Sequence, residues 1–87
     1  MRNGMEVKTS NYKTKDWNES ALLLSHGLRL IGIRRKGVCY FEFEDGERAT
    51  GLVESYWRGD LSVNARAFVD AQRRVKDMIH RDQRASA

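Results

Sequence analysis

The sequence predicts an α+β domain whose helices gather on one face of a small antiparallel sheet. Three observations predict it. Apolar residues recur at helical spacing in three separate segments, two β-rich runs flank one glycine-containing turn, and 87 residues leave space for a single core. The expected order is helix, hairpin, helix, helix, with room for a third, N-terminal strand in front. A chain this short buries roughly 60–65% of the surface its unfolded form exposes, so its stability margin is thin.

The first helix is expected over residues 15–26. Asp16 stands three residues before Glu19 in capping-box spacing. Trp17, Ala21, Leu24 and Leu28 keep a helical rhythm, Leu22 and Leu23 widen the stripe, and Gly27 supplies a left-handed stop. Ahead of it, weak alternation over residues 6–12 reads as a short edge strand.

Residues 28–35 and 38–44 make a hairpin about Lys36-Gly37. A two-residue loop sets Arg35 opposite Val38, Ile33 opposite Tyr40 and Leu30 opposite Phe43. Leu28, Leu30, Gly32, Cys39, Phe41 and Phe43 then share one face, where Phe41 covers the bare Gly32 backbone. Ile31, Ile33, Val38, Tyr40 and Glu42 fall on the other, which is apolar enough to require a cover.

Asp45-Gly46 opens the second helix, on which Ala49, Leu52, Val53, Tyr56 and Trp57 form one stripe and Gly59 ends it. Gly51 inside that span costs roughly 1 kcal/mol relative to alanine. Asn64 caps the third helix, and Val63 and Phe68 stand at hydrophobic-staple positions. From 65 to about 80, Phe68, Ala71, Val75, Met78 and Ile79 form its buried face. The ordered core is expected over residues 12–80, with a flexible segment at 1–11 and a frayed tail at 81–87.

Sixteen Lys+Arg against twelve Asp+Glu leave a net charge of +4 and a pI near 9.6, which suits an anionic partner. The single cysteine excludes an intramolecular disulfide, and with two histidines it cannot complete a conventional structural zinc site. No metal and no cofactor are expected. The longest apolar runs are too short for a bilayer, and the first residues lack the apolar core of a secretory signal. A cytoplasmic protein without a membrane partner is the expectation.

The run Tyr12-Lys13-Thr14-Lys15-Asp16, the Ala-Leu-Leu-Leu helix ending in Gly27 and the strand Leu30-Ile31-Gly32-Ile33 resemble an uncharacterised family of small bacterial and phage proteins. So do the strand Tyr40 through Asp45, the segment Leu52-Val53-Glu54-Ser55-Tyr56-Trp57-Arg58-Gly59, and Val63 followed by Ala65-Arg66-Ala67-Phe68. The resemblance covers residues 12–80. It implies a fold, a prokaryotic or phage origin and a small accessory role. As a domain of unknown function, the family assigns no catalytic or binding residue.

Catalytic constellations are sparse, and no enzyme is expected. Ser25 and His26 are sequence neighbours whose side chains would diverge by about 100° on a helix. His26 is better read as a cation at a helix C-terminus. Cys39 reads as a core-facing small hydrophobe. Glu42 and Glu44 share a strand face at a spacing of about 7 Å, which suits a carboxylate pair, but a solvated strand edge is the favoured reading. Arg58-Gly59-Asp60 spells an adhesion tripeptide by chance.

The basic residues are more informative. Arg34, Arg35 and Lys36 stand at the hairpin tip with no acid adjacent in sequence, placed to contact phosphates. On the third helix Arg66, Arg73, Arg74, Arg81 and Arg84 face outward, but Asp70 and Asp77 at i,i+4 spacing offset several of them. Tyr40, beside the basic tip, is the aromatic placed to stack on a base. The expected function is a non-catalytic module that contacts nucleic acid or a nucleoprotein assembly through Arg34, Arg35, Lys36, Tyr40, Arg73, Arg74 and Arg81. The alternative is a protein-interaction module, an inhibitor or adaptor binding a host protein or a homodimer, centred on Ile31, Ile33 and Tyr40.

Overall fold

A computed structural model describes residues 10–86, with the backbone alone for 35, 36 and 82–86. The elements are β1 (Tyr12–Thr14), α1 (Trp17–Ser25), β2 (Leu30–Lys36), β3 (Val38–Phe43), α2 (Gly46–Arg58) and α3 (Ala65–Ser86). The fold is α+β, as the sequence predicts. The sheet is antiparallel in the order β1-β3-β2, so β3 is the central strand.

Most of the expected strand over 6–12 lies outside the described residues. The strand that forms is β1, which pairs Tyr12 with Phe43, Lys13 with Glu42 and Thr14 with Phe41. It occupies residues just ahead of the helix cap. Asp16 caps α1 by accepting from the Glu19 amide at 2.9 Å. The reciprocal half of the capping box is replaced: Thr14 Oγ1 takes the Asp16 amide at 3.0 Å, while the Glu19 carboxylate turns elsewhere. α1 ends where Gly27, at φ 83°, lets the Gly27 amide reach Leu24 O and the Leu28 amide reach Leu23 O. That double closure seats the next residue, Leu28, in the core. Gly59 ends α2 in the same way, with Gly59 and Asp60 amides on Tyr56 and Ser55 carbonyls.

The hairpin departs from the expected register. Leu30 faces Phe43 as predicted, but Gly32 faces Glu42, Ile33 faces Phe41 and Arg34 faces Tyr40. Ile31 is therefore the extra residue of a β-bulge, and the strands close at Lys36–Val38 around Gly37 alone. A one-residue slip turns every later side chain to the opposite face. Without the bulge Gly32 would stand opposite Phe41 and Ile33 would point outward, leaving that core position without a side chain, whereas an arginine stands opposite Cys39 in either register. With it, Ile33 packs against the core and Ile31 is left 42% exposed.

The core lies between the inner sheet face and the helices. Phe41 and Phe43 of β3 meet Ala21, Leu23 and Leu24 of α1, Ala49 and Val53 of α2, and Ala71, Val75 and Ile79 of α3. α1 is the middle helix; its residues 20–24 are all buried, which is why its apolar positions run consecutively. α3 keeps the predicted stripe, and Asn64 caps it through a 2.9 Å bond from the Ala67 amide. It runs to Ser86 rather than stopping near 80. Residues 81–86 include neither glycine nor proline, so backbone propensity carries the helix past the end of its apolar stripe.

Candidate nucleic-acid interface

With helices on its inner face, the sheet turns its other face outward. The pairings put Lys13 of β1, Arg34 of β2 and Tyr40 and Glu42 of β3 on that outer face. Among the described residues, these four line one shallow depression of about 400 Å³. Arg34 stands directly across from Tyr40, and Lys13 directly across from Glu42. One aromatic is thus flanked by cations from both neighbouring strands.

Glu42 organises the group. Its side chain is only 9% exposed, although it sits on the outward face. Asn11 Nδ2 donates to its Oε2 at 2.9 Å, and Arg34 Nε donates to its Oε1 at 2.8 Å. The Asn11 bond, then the Arg34 bond, hold the carboxyl below the usual range, and their effect outweighs the opposing cost of burial. The central position of β3 explains the cover, because strands on both sides supply side chains over residue 42. Arg34 itself remains 57% exposed at its side chain, so its guanidinium is pinned by one nitrogen and open to solvent elsewhere.

The remaining candidates are distributed differently. Arg35 and Lys36 continue β2 beyond Arg34, but their side chains lie outside the described residues. Arg73, Arg74 and Arg81 are exposed on α3, which packs against α1 on the helical side, so they do not join the outer sheet face. Arg73 pairs with Asp70 at 3.9 Å across i,i+3 rather than with Asp77. Of the apolar trio Ile31, Ile33 and Tyr40, the bulge turns Ile33 into the core, and the continuous apolar sheet face expected from sequence does not form. Trp57 also departs from expectation. It is 63% exposed, not core, and its indole nitrogen bonds Glu19 at 2.9 Å.

The sequence does not single out Lys13 or Asn11. The signal for Lys13 is the alternation Tyr12-Lys13-Thr14, half-buried, exposed, buried, which runs from the end of the expected strand over 6–12 up to the expected helix over 15–26.

The side chains weighed as catalytic candidates make local contacts. Because α1 ends at Ser25, His26 leaves the helical path, and Ser25 Oγ comes to 3.3 Å from His26 Nδ1 instead of diverging from it. Both groups serve the helix end: Ser25 Oγ donates to Leu22 O at 2.7 Å, and His26 Nδ1 lies 3.0 Å from the same carbonyl. Glu44 is exposed and pairs with Arg29 at 3.6 Å, away from the covered Glu42. Arg58 and Asp60 pair with each other at 3.0 Å across the helix-ending Gly59. Among the described residues no cluster of three His, Cys, Asp or Glu side chains could hold a metal, and no helix is long and apolar enough to cross a membrane.

No curated protein and no solved structure matches the chain. Residues 9–81 match the family described as a domain of unknown function, DUF5659, and a match over that much of its length means that the chain belongs to this family.

Proposed function

We propose that this protein is a small non-catalytic binding module, of bacterial or phage type and cytoplasmic, that contacts nucleic acid through its outer sheet face. One observation carries the reading: Lys13 and Arg34 flank Tyr40 on the sheet face opposite the helices, and the strand bearing Arg35 and Lys36 continues from it. Cations supply phosphate contacts that position a ligand, and the aromatic supplies a surface that tolerates any base. The structural departure strengthens this reading, since the bulge that withdraws Ile33 is what brings Arg34 out beside Tyr40.

The test is a fluorescence anisotropy titration with labelled oligonucleotides across a salt series. Affinity falls steeply with added salt, and the triple change Arg34→Gln, Arg35→Gln, Lys36→Gln weakens binding for all sequences and flattens the salt slope. Absence of binding at micromolar protein and low salt removes the proposal.

A protein-contact reading is favoured by a separate feature on the helical side. Trp17, 47% exposed, and Val69, 42% exposed, border a groove of about 340 Å³ between α1 and α3 with Arg73 and Lys76 beside them. Exposed tryptophan with adjacent cations suits an acidic amphipathic helix of a partner protein. Trp17→Ala abolishing capture of a specific partner would support it; capture unaffected by that change counts against it.

A further inference from the structure

The outer sheet face carries more information than its charge. A three-stranded sheet spans about 10 Å between its outer strands before side chains are added, so its flat face does not enter a major groove about 12 Å wide. A duplex would offer such a face only its phosphates, because stacking hides the flat surfaces of its bases. Yet Tyr40 lies half-buried in the open depression it shares with Lys13, Arg34 and Glu42, where an aromatic surface can meet a base that has left the stack.

Glu42 adds the second observation. A nearly covered carboxylate on an outward sheet face bonds Arg34 through Nε at 2.8 Å, which leaves the terminal nitrogens of the guanidinium for a phosphate. Asn11, bonded to the other carboxylate oxygen at 2.9 Å, fixes Glu42 in turn. Lys13, across from Glu42, lines the same depression and adds a second cation to it.

We infer that this face takes single-stranded nucleic acid, with one base stacked on Tyr40 and an adjacent phosphate on the Arg34 guanidinium that Glu42 positions. The inference rests on the nucleic-acid reading above and specifies its ligand. Glu42 is a positioning residue, and its effect has a distinctive sign. Removing its negative charge by Glu42→Gln would tighten binding if charge alone mattered. If Glu42 orients Arg34, the same change weakens binding despite the added net positive charge.

The experiment compares oligothymidylate with the oligodeoxyadenylate–oligothymidylate duplex of equal length, against wild type, Tyr40→Phe, Tyr40→Leu and Glu42→Gln, with thermal melts confirming that each variant is folded. The single strand binds at least about tenfold tighter than the duplex; Tyr40→Phe retains affinity and Tyr40→Leu loses about tenfold. Glu42→Gln binds more weakly than wild type. Photocrosslinking of the unmodified protein to an iodouracil-containing strand labels Tyr40, a readout that needs no folded variant. Duplex binding as tight as the single strand, or crosslinks confined to other residues, overturns the single-strand inference while leaving nucleic-acid binding intact. Tighter binding by Glu42→Gln overturns the positioning role. Failure of both probes to bind removes both proposals.

Discussion

Glu19 is the residue on which the most local structure converges. Its Oε1 accepts from Tyr12 Oη at 2.9 Å and Thr14 Oγ1 at 2.8 Å, and its Oε2 accepts from Trp57 Nε1 at 2.9 Å. One carboxylate thus ties β1, α1 and α2 together. Hydrogen bonds to a charged acceptor contribute more than neutral ones, and this one is half-exposed, so Glu19→Ala should cost about 2–4 kcal/mol in urea denaturation. The sequence announced Glu19 as a capping residue, and its position three after Asp16 was legible for that reason. Its three donors were not, because they come from elements whose placement depends on the fold. Tyr12 carries a consequence for pH. Burial first, and then the bond to Glu19, push its phenol from 10.0 up to about 12. The fold favours the neutral phenol, so its contribution is full below pH 10.0 and is lost as pH rises towards about 12. Alkaline unfolding of wild type should therefore be steeper across that window than that of Tyr12→Phe.

At the scale of elements, two glycines of α2 make opposite predictions. A methyl group on Gly46 would meet the Ser10 carbonyl oxygen at 2.6 Å, and the Gly46 amide donates to that same oxygen at 3.0 Å. Gly46→Ala must push back the backbone leading into β1 and should cost about 1–3 kcal/mol. Gly51 is exposed with nothing within 4 Å of an added methyl, so Gly51→Ala should raise stability by about 1 kcal/mol. Thermal melts of the two variants should shift in opposite directions. The helices and their ends were legible because caps and stop glycines are local chemistry: Asp16, Gly27, Gly59 and Asn64 all act where the sequence places them. The hairpin register was only half legible. Alternation in residues 28–44 fits an unbulged pairing on paper, and the choice between setting Gly32 or Ile33 opposite Phe41 is decided by a core that exists only after folding. Gly32 beside the bulge was the available hint, since glycine in a strand often marks one.

Over the whole molecule, basic residues considered as ligand contacts fall on separate surfaces. Arg34 and Lys13 belong to the outer sheet face with Tyr40, whereas Arg73 lies on the helical side against Trp17 and Val69. Net charge was visible in the composition, but its division was not, because it depends on α3 packing against α1 behind the sheet. The aromatic residues follow the same logic. Trp17 and Trp57 fit helical stripes by spacing, yet both lie at the edge of a core already filled by Phe41, Phe43 and the leucines of α1. The most direct measurement of the central claim is an amide NMR titration of the protein with oligothymidylate at low salt. The outer sheet face as the ligand surface predicts progressive shifts at Lys13, Arg34, Tyr40 and Glu42, with α3 unchanged. Shifts confined to α3, or a spectrum unaltered at saturating oligonucleotide, would contradict it.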